Sequence, residues 1–179
     1  MAIKGVEVFH VPYLADTRGN FQKIHFQEAP SSVWNRVEEV FFTKTWKGSI
    51  RGMHLQWGSC STNKIVKCLE GEVLDVLIDL RPDSKTYLEI FSKVLSGVNQ
   101  EALSIPEGVA HGYQVLSESA IMYYATDNPW CKHCDLTLNP FLDGVEWPIV
   151  VTNLSEKDYS APKLDNFLKS FAHSKGFRH

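Results

Sequence analysis

The sequence is poor in everything that would direct it to a membrane, a secretory route or a nucleic acid. No apolar run approaches the roughly 18–20 residues of a membrane span. The opening MAIKGVEVFH has no apolar core followed by a small-residue cleavage site, so no secretory signal is visible. Cysteine is sparse, with Cys60, Cys68, Cys131 and Cys134 only, too few for a disulfide scaffold, and the expected setting is a reducing cytoplasm. Charge of one sign is also missing: 18 basic and 21 acidic residues leave a net −3 with no basic block, which removes nucleic acid as the expected main partner. There is no internal repeat and no low-complexity stretch.

What remains is the composition of an ordinary soluble domain, 44% apolar and 22% charged over 179 residues. A chain of this length buries a core without disulfides or a structural metal, and residues 1–179 read as a single domain. In the run 64–80, Leu74, Val76, Ile78 and Leu80 fall on one parity and Asp75 and Asp79 on the other, which predicts a half-buried strand. Glu70-Gly71 divides the run into two arms, predicting a hairpin. Turn signals recur at Arg81-Pro82-Asp83, Ser96-Gly97, Pro106-Glu107-Gly108 and Asn128-Pro129, between short segments rich in Val, Ile, Tyr and Phe. That rhythm predicts a β-sandwich or barrel. Helical spacing is clear only at the end, where Leu164, Phe167, Leu168 and Phe171 share one face after Pro162.

Cys131-Lys132-His133-Cys134 is a CxxC, yet Cys60 and Cys68 lack the spacing of a second pair, so the sequence reads as free thiols and no metal. Pro106-Glu107-Gly108-Val109-Ala110-His111 resembles the second half of a cupin signature. Metal cupins carry a His-x-His in the first half. Here His54 is followed by Leu55 and Gln56, one ligand short, which favours metal-free acid–base chemistry in a cupin-like barrel. Arg51 offers a planar fork of donors for phosphate, and a histidine such as His54 is a residue type suited to proton transfer. Odd spacing puts them on opposite faces of a strand unless Gly52 bends it. Lys64 can stabilise an oxyanion. Tyr123 and Tyr124 are adjacent, so one faces in and the other out. Taken singly, Tyr123, Lys64 and Asp158 are ordinary barrel, strand-end and turn residues.

As a set, these motifs resemble the dTDP-4-dehydrorhamnose 3,5-epimerase family. Asp16-Thr17-Arg18-Gly19-Asn20-Phe21 is similar to its DxRGxF opening, Ile50 to Gln56 to LRGLHxQ, Ile105 to Gly112 to IPEGFAHGF, Tyr123 to Asp127 to YKTTD, and Glu146-Trp147-Pro148 with Leu154 to Asp158 to DWP and LSxxD. The resemblance implies a mostly β, cupin-type jelly-roll β-barrel with short helices, one at the C-terminus. It implies a homodimer that needs no cofactor and inverts C3 and/or C5 of a dTDP-linked 4-keto-6-deoxyhexose. By similarity His54 is the base, Asp158 its partner, Tyr123 the acid on the opposite face, and Lys64 the group that stabilises the enolate. Arg18 and Arg51 would hold the diphosphate, with Phe21, Gln56, His111 and Trp130 as further substrate contacts. The chain departs from the family at Phe41, where an amide is usual, at Lys23, at Pro129-Trp130 and over 131–138, all where substrate is expected. The competing readings are a cupin-like sugar-nucleotide 3,4-ketoisomerase and a non-catalytic sugar-nucleotide-binding cupin.

Overall fold

The computed structural model describes residues 3–25 and 32–174. The strands are β1 (Glu7–His10), β2 (Tyr13–Asp16), β3 (Gly19–Gln22), β4 (Glu39–Trp46), β5 (Ile50–Gln56), β6 (Lys64–Glu70), β7 (Glu72–Asp79), β8 (Ile90–Ser96), β9 (Glu101–Ile105), β10 (Val109–Val115), β11 (Ser119–Thr126) and β12 (Asp135–Thr137). Two helices follow, α1 (Glu156–Tyr159) and α2 (Leu164–Ser174). The strands form two five-stranded antiparallel sheets, in the orders β1-β9-β6-β11-β4 and β12-β5-β10-β7-β8, and a separate β2-β3 hairpin. Successive strands mostly switch sheets, as in a jelly roll. Among the described residues, strand pairing does not join the two sheets into one closed ring.

The expected hairpin at Glu70-Gly71 is instead a corner. β6 lies in the first sheet and β7 in the second, and they do not pair. Gly71 makes the turn at φ +80°, and a Cβ there would stand 2.1 Å from the Ser119 carbonyl oxygen, so the chain crosses over against the backbone of β11. The half-buried strand also proves to be buried on both faces. Val73 and Leu77 join the core between the sheets, with Leu103, Val109 and Met122. Val76, Ile78 and Leu80 face outward onto Leu138, Leu142 and Phe167. Leu164, Phe167 and Leu168 of α2 thus cover the back of the second sheet, which is the role their spacing predicts. The Phe171 side chain lies outside the described residues. Both strand parities could be apolar because one packs on a sheet and the other under a helix.

The spacing problem of Arg51 and His54 is resolved at Gly52. Across β5 and β10, His54 faces His111 and Arg51 faces Tyr113. Three steps on β5 therefore match two on β10, which is a β-bulge. A Cβ on Gly52, whose φ is +133°, would sit 2.4 Å from Gly112 Cα. Two glycines let the backbones touch, and the bulge turns Arg51 and His54 into the same cavity. No helix among the described residues is long and apolar enough to cross a membrane.

Candidate active site

A cavity of about 330 Å³ lies between the sheets. The second sheet lines it with Arg51, His54 and Gln56 of β5 and His111 of β10, and the first sheet with Phe41, Lys64 and Tyr124.

His54 Nε2 is 2.6 Å from Asp158 Oδ1. The His54 side chain is 39% exposed, and that of Asp158 3%. Asp158 is positioned by the first turn of α1, where Ser155 caps the helix by accepting a hydrogen bond from Asp158 N–H at 3.1 Å. Its second oxygen accepts the Gly52 N–H at 3.4 Å, so the bulge holds both members of the pair. Burial pushes the Asp158 carboxyl up, but hydrogen bonds from His54, Ser155 and Gly52 outweigh it and hold the group below its ordinary value. An ionised Asp158 fixes the imidazole orientation and leaves Nδ1 for proton transfer.

A second pair, missed in the sequence, lies beside the first. His111 Nε2 is 2.7 Å from Asp75 Oδ2, with side-chain exposures of 5% and 0%. Burial raises the Asp75 carboxyl above its ordinary value, against the opposing pull of His111 and Lys64. Its other oxygen, Oδ1, is buried without a hydrogen-bond partner. The available signal was Asp75 standing between Val73 and Leu77 on a strand whose opposite face is also apolar.

Lys64 opens β6 at the cavity. Desolvation pulls its ammonium down to about 8, opposed by the charges of Asp75 and Asp135. A lysine so tuned is still protonated at neutral pH and little hydrated, which suits an oxyanion.

The expectation for Tyr123 needs correcting. Its neighbour Tyr124 lines the cavity, whereas Tyr123 packs on the outer face of the sheet against Phe9, Val11 and Ile65. Strand parity is the reason: Ala120, Met122 and Tyr124 point into the core, so Tyr123 cannot. The cavity-facing tyrosine of this strand is Tyr124. Burial raises the Tyr124 hydroxyl well above its ordinary value, which keeps it protonated. Phe41, the residue that departs from the family pattern, stacks on Tyr124 with centroids 4.7 Å apart and planes within 7°. Behind them, Tyr113 Oη bonds Thr43 and Thr45 Oγ1 at 2.8 and 2.9 Å, and Arg51 Nε donates to Thr45 at 2.8 Å.

The remaining expected contacts divide. Trp130 stands at the cavity, 61% exposed. Gln56 borders it, but its amide is engaged by protein: Nε2 donates to Thr62 Oγ1 at 2.6 Å and to the Cys60 and Pro129 carbonyls, and Oε1 accepts the Cys131 N–H. Arg18 and Phe21 do not line the cavity. They are exposed on the β2-β3 hairpin, where Arg18 pairs with Asp16 of its own turn.

Comparison with known proteins gives a consistent result. The family model described as dTDP-4-dehydrorhamnose 3,5-epimerase matches residues 1–166. The chain is 35% identical over 171 residues to a dTDP-4-dehydrorhamnose 3,5-epimerase of Shigella flexneri, covering 90% of this chain and 92% of that one. Among solved structures it is similar to the enzyme of the same name from Elizabethkingia anophelis NUHP1, with TM-score 0.83, 31% identity and coverage of 93% and 94%. It is also similar to a dTDP-6-deoxy-D-glucose-3,5-epimerase from Legionella pneumophila in complex with dTDP-4-keto-L-rhamnose, with TM-score 0.84, 28% identity and coverage of 92% and 90%.

Proposed function

The chain belongs to the dTDP-4-dehydrorhamnose 3,5-epimerase family, and from that premise we propose that it inverts C3, C5 or both in a dTDP-linked 4-keto-6-deoxyhexose. The observation that carries this reading is the set of groups on the two walls of one cavity. His54 comes from one sheet with Asp158 of α1 behind it, and Tyr124 and Lys64 come from the other sheet. A proton beside a ketone is weakly acidic, so its removal needs a base together with charge stabilisation at the carbonyl oxygen. His54 removes the proton, and Asp158 stabilises the resulting imidazolium. Lys64 holds the enolate oxygen. Tyr124 returns a proton from the opposite wall, which inverts the centre. Arg51 takes the diphosphate, and Trp130 stacks on the nucleotide.

We infer a homodimer for the same protein. β4 is an edge strand with Phe42 72% and Trp46 61% exposed, and an apolar edge of that kind is normally covered. The setting is the cytoplasm, where sugar nucleotides are made.

The test is solvent exchange. The protein is incubated with dTDP-4-keto-6-deoxyglucose in heavy water, and deuterium is located by NMR and mass spectrometry. Label at C3 and C5 supports the double epimerase, and label at one carbon a mono-epimerase. No label from folded protein overturns the reading.

A further inference from the structure

Away from the proposed proton-transfer groups, three of the four cysteines meet. The Sγ atoms of Cys60, Cys131 and Cys134 all lie within 4.8 Å of one another, and all three residues are half-buried. Cys60 closes the short turn Gly58–Cys60 after β5, and the other two lie in the loop between β11 and β12. Spacing along the chain gave no hint of this, because the third cysteine comes from 71 residues earlier, brought in by the pairing of β12 on β5.

Hydrogen bonds hold the loops that carry the three cysteines. Cys134 N–H donates to the Cys131 carbonyl at 3.0 Å, closing the CxxC turn. Ser59 Oγ lies 3.8 Å from Cys60 Sγ and 3.9 Å from Cys134 Sγ. The two loops are fixed independently of the sulfurs. Trp57 N–H bonds the Cys134 carbonyl at 2.9 Å, and Gln56 bridges Cys60, Pro129 and Cys131. Rigid loops lower the reorganisation needed to bind an ion.

We propose that Cys60, Cys131 and Cys134 form a binding site for a thiophilic divalent ion, zinc above all. In a tetrahedral zinc site with Zn–S bonds of about 2.3 Å, the sulfurs stand about 3.8 Å apart, a spacing compatible with a triangle whose sides all lie within 4.8 Å. A disulfide would use two of these sulfurs and leave the third without a role, whereas a metal uses all three. Among the described residues no fourth His, Cys, Asp or Glu joins the group, so the fourth position falls to solvent. The ion does no chemistry on the sugar. It ties the turn after β5 to the loop that carries Trp130, and so fixes one rim of the cavity.

The probe is cobalt(II), added anaerobically to the full-length, reduced, chelator-treated protein. The expected result is saturation at about one ion per chain, with tetrahedral d–d bands and thiolate-to-cobalt charge transfer of three-sulfur intensity, displaced by zinc. Cys131→Ser and Cys60→Ser lose charge-transfer intensity while circular dichroism stays unchanged, and Cys68→Ala keeps it. Zinc shields three thiols from alkylation in the native protein. The proposal is overturned if reduced, folded protein takes up no cobalt, or if the cobalt spectrum survives in Cys131→Ser/Cys134→Ser. Recovery of a Cys131–Cys134 disulfide as the main species, from cells alkylated before lysis, also overturns it in favour of a redox pair.

Discussion

Two histidines face each other on β5 and β10, each paired with an aspartate from another element, and the pair geometry is nearly the same, 2.6 Å for His54–Asp158 and 2.7 Å for His111–Asp75. Their surroundings differ. Asp158 sits at a helix start with three hydrogen-bond donors and is held ionised, while its histidine reaches the open cavity. Asp75 is sealed between sheets, its carboxyl pushed up by burial, with one oxygen unpartnered. The same two side-chain types at nearly the same distance therefore stand in different environments. In the proposed function the open pair exchanges protons, and the closed pair is a fixed polar post in the wall.

The sharpest way to break this contrast is to remove each imidazole. His54→Asn is expected to lower solvent-deuterium exchange into substrate by roughly a thousandfold, the scale of general-base catalysis. His111→Asn is expected to act mainly on binding and stability. Equal losses of kcat in the two variants would erase the distinction. Next in size, Tyr124→Phe should cost about a hundredfold in turnover, while Tyr123→Phe stays within about twofold, as for a substitution away from the reacting atoms. Steady-state rates on the same substrate decide between them.

A pH profile sharpens the comparison further. Lys64 lies near both walls and loses its proton at about 8, so kcat/KM should decline above that pH, about tenfold per unit once the ammonium is gone. Lys64→Arg should move this limb upward.

The smallest effect concerns stability in acid, and its sign differs between the pairs. The Asp158 value is lowered in the fold, so its contribution is present above the unfolded value of 3.8 and is lost as pH falls through the folded value. Asp75 is raised, so its cost at neutral pH is relieved as pH falls through its folded value toward 3.8. Denaturant titrations of Asp158→Asn and Asp75→Asn against wild type, at neutral pH and near the carboxylate range, should give differences that move in opposite directions, by on the order of 1 kcal/mol. Parallel movement would mean the two carboxylates share one environment.

Local signals located most of the cavity. His54, Lys64 and Arg51 are residue types that already suggest proton and phosphate chemistry, His111 and Trp130 are implied by the family resemblance, and all five line the cavity. The C-terminal helix was legible from its spacing. Other features depend on how distant strands pair. Alternation says that one of Tyr123 and Tyr124 faces inward, but not which. Only the register of β11 against β4 and β6 settles that. Asp75 reads as solvent-facing when the Leu74–Leu80 parity is counted as the whole core, but that parity packs under α2 and Asp75's own side faces the other sheet. Gly71 reads as a hairpin until the chain is seen to change sheets there. The cysteine triangle depends on β12 returning to β5, a contact that no short window contains.

The meeting of Gly52 and Gly112 has one more consequence. With 2.4 Å between a would-be Cβ and the opposing Cα, neither position has room for any side chain. The bulge that seats His54 is therefore set by the close approach of two backbones. Heritable variation in what the cavity accepts must enter elsewhere, through Phe41 on the far wall and the loop from Pro129 to Cys134 at the rim.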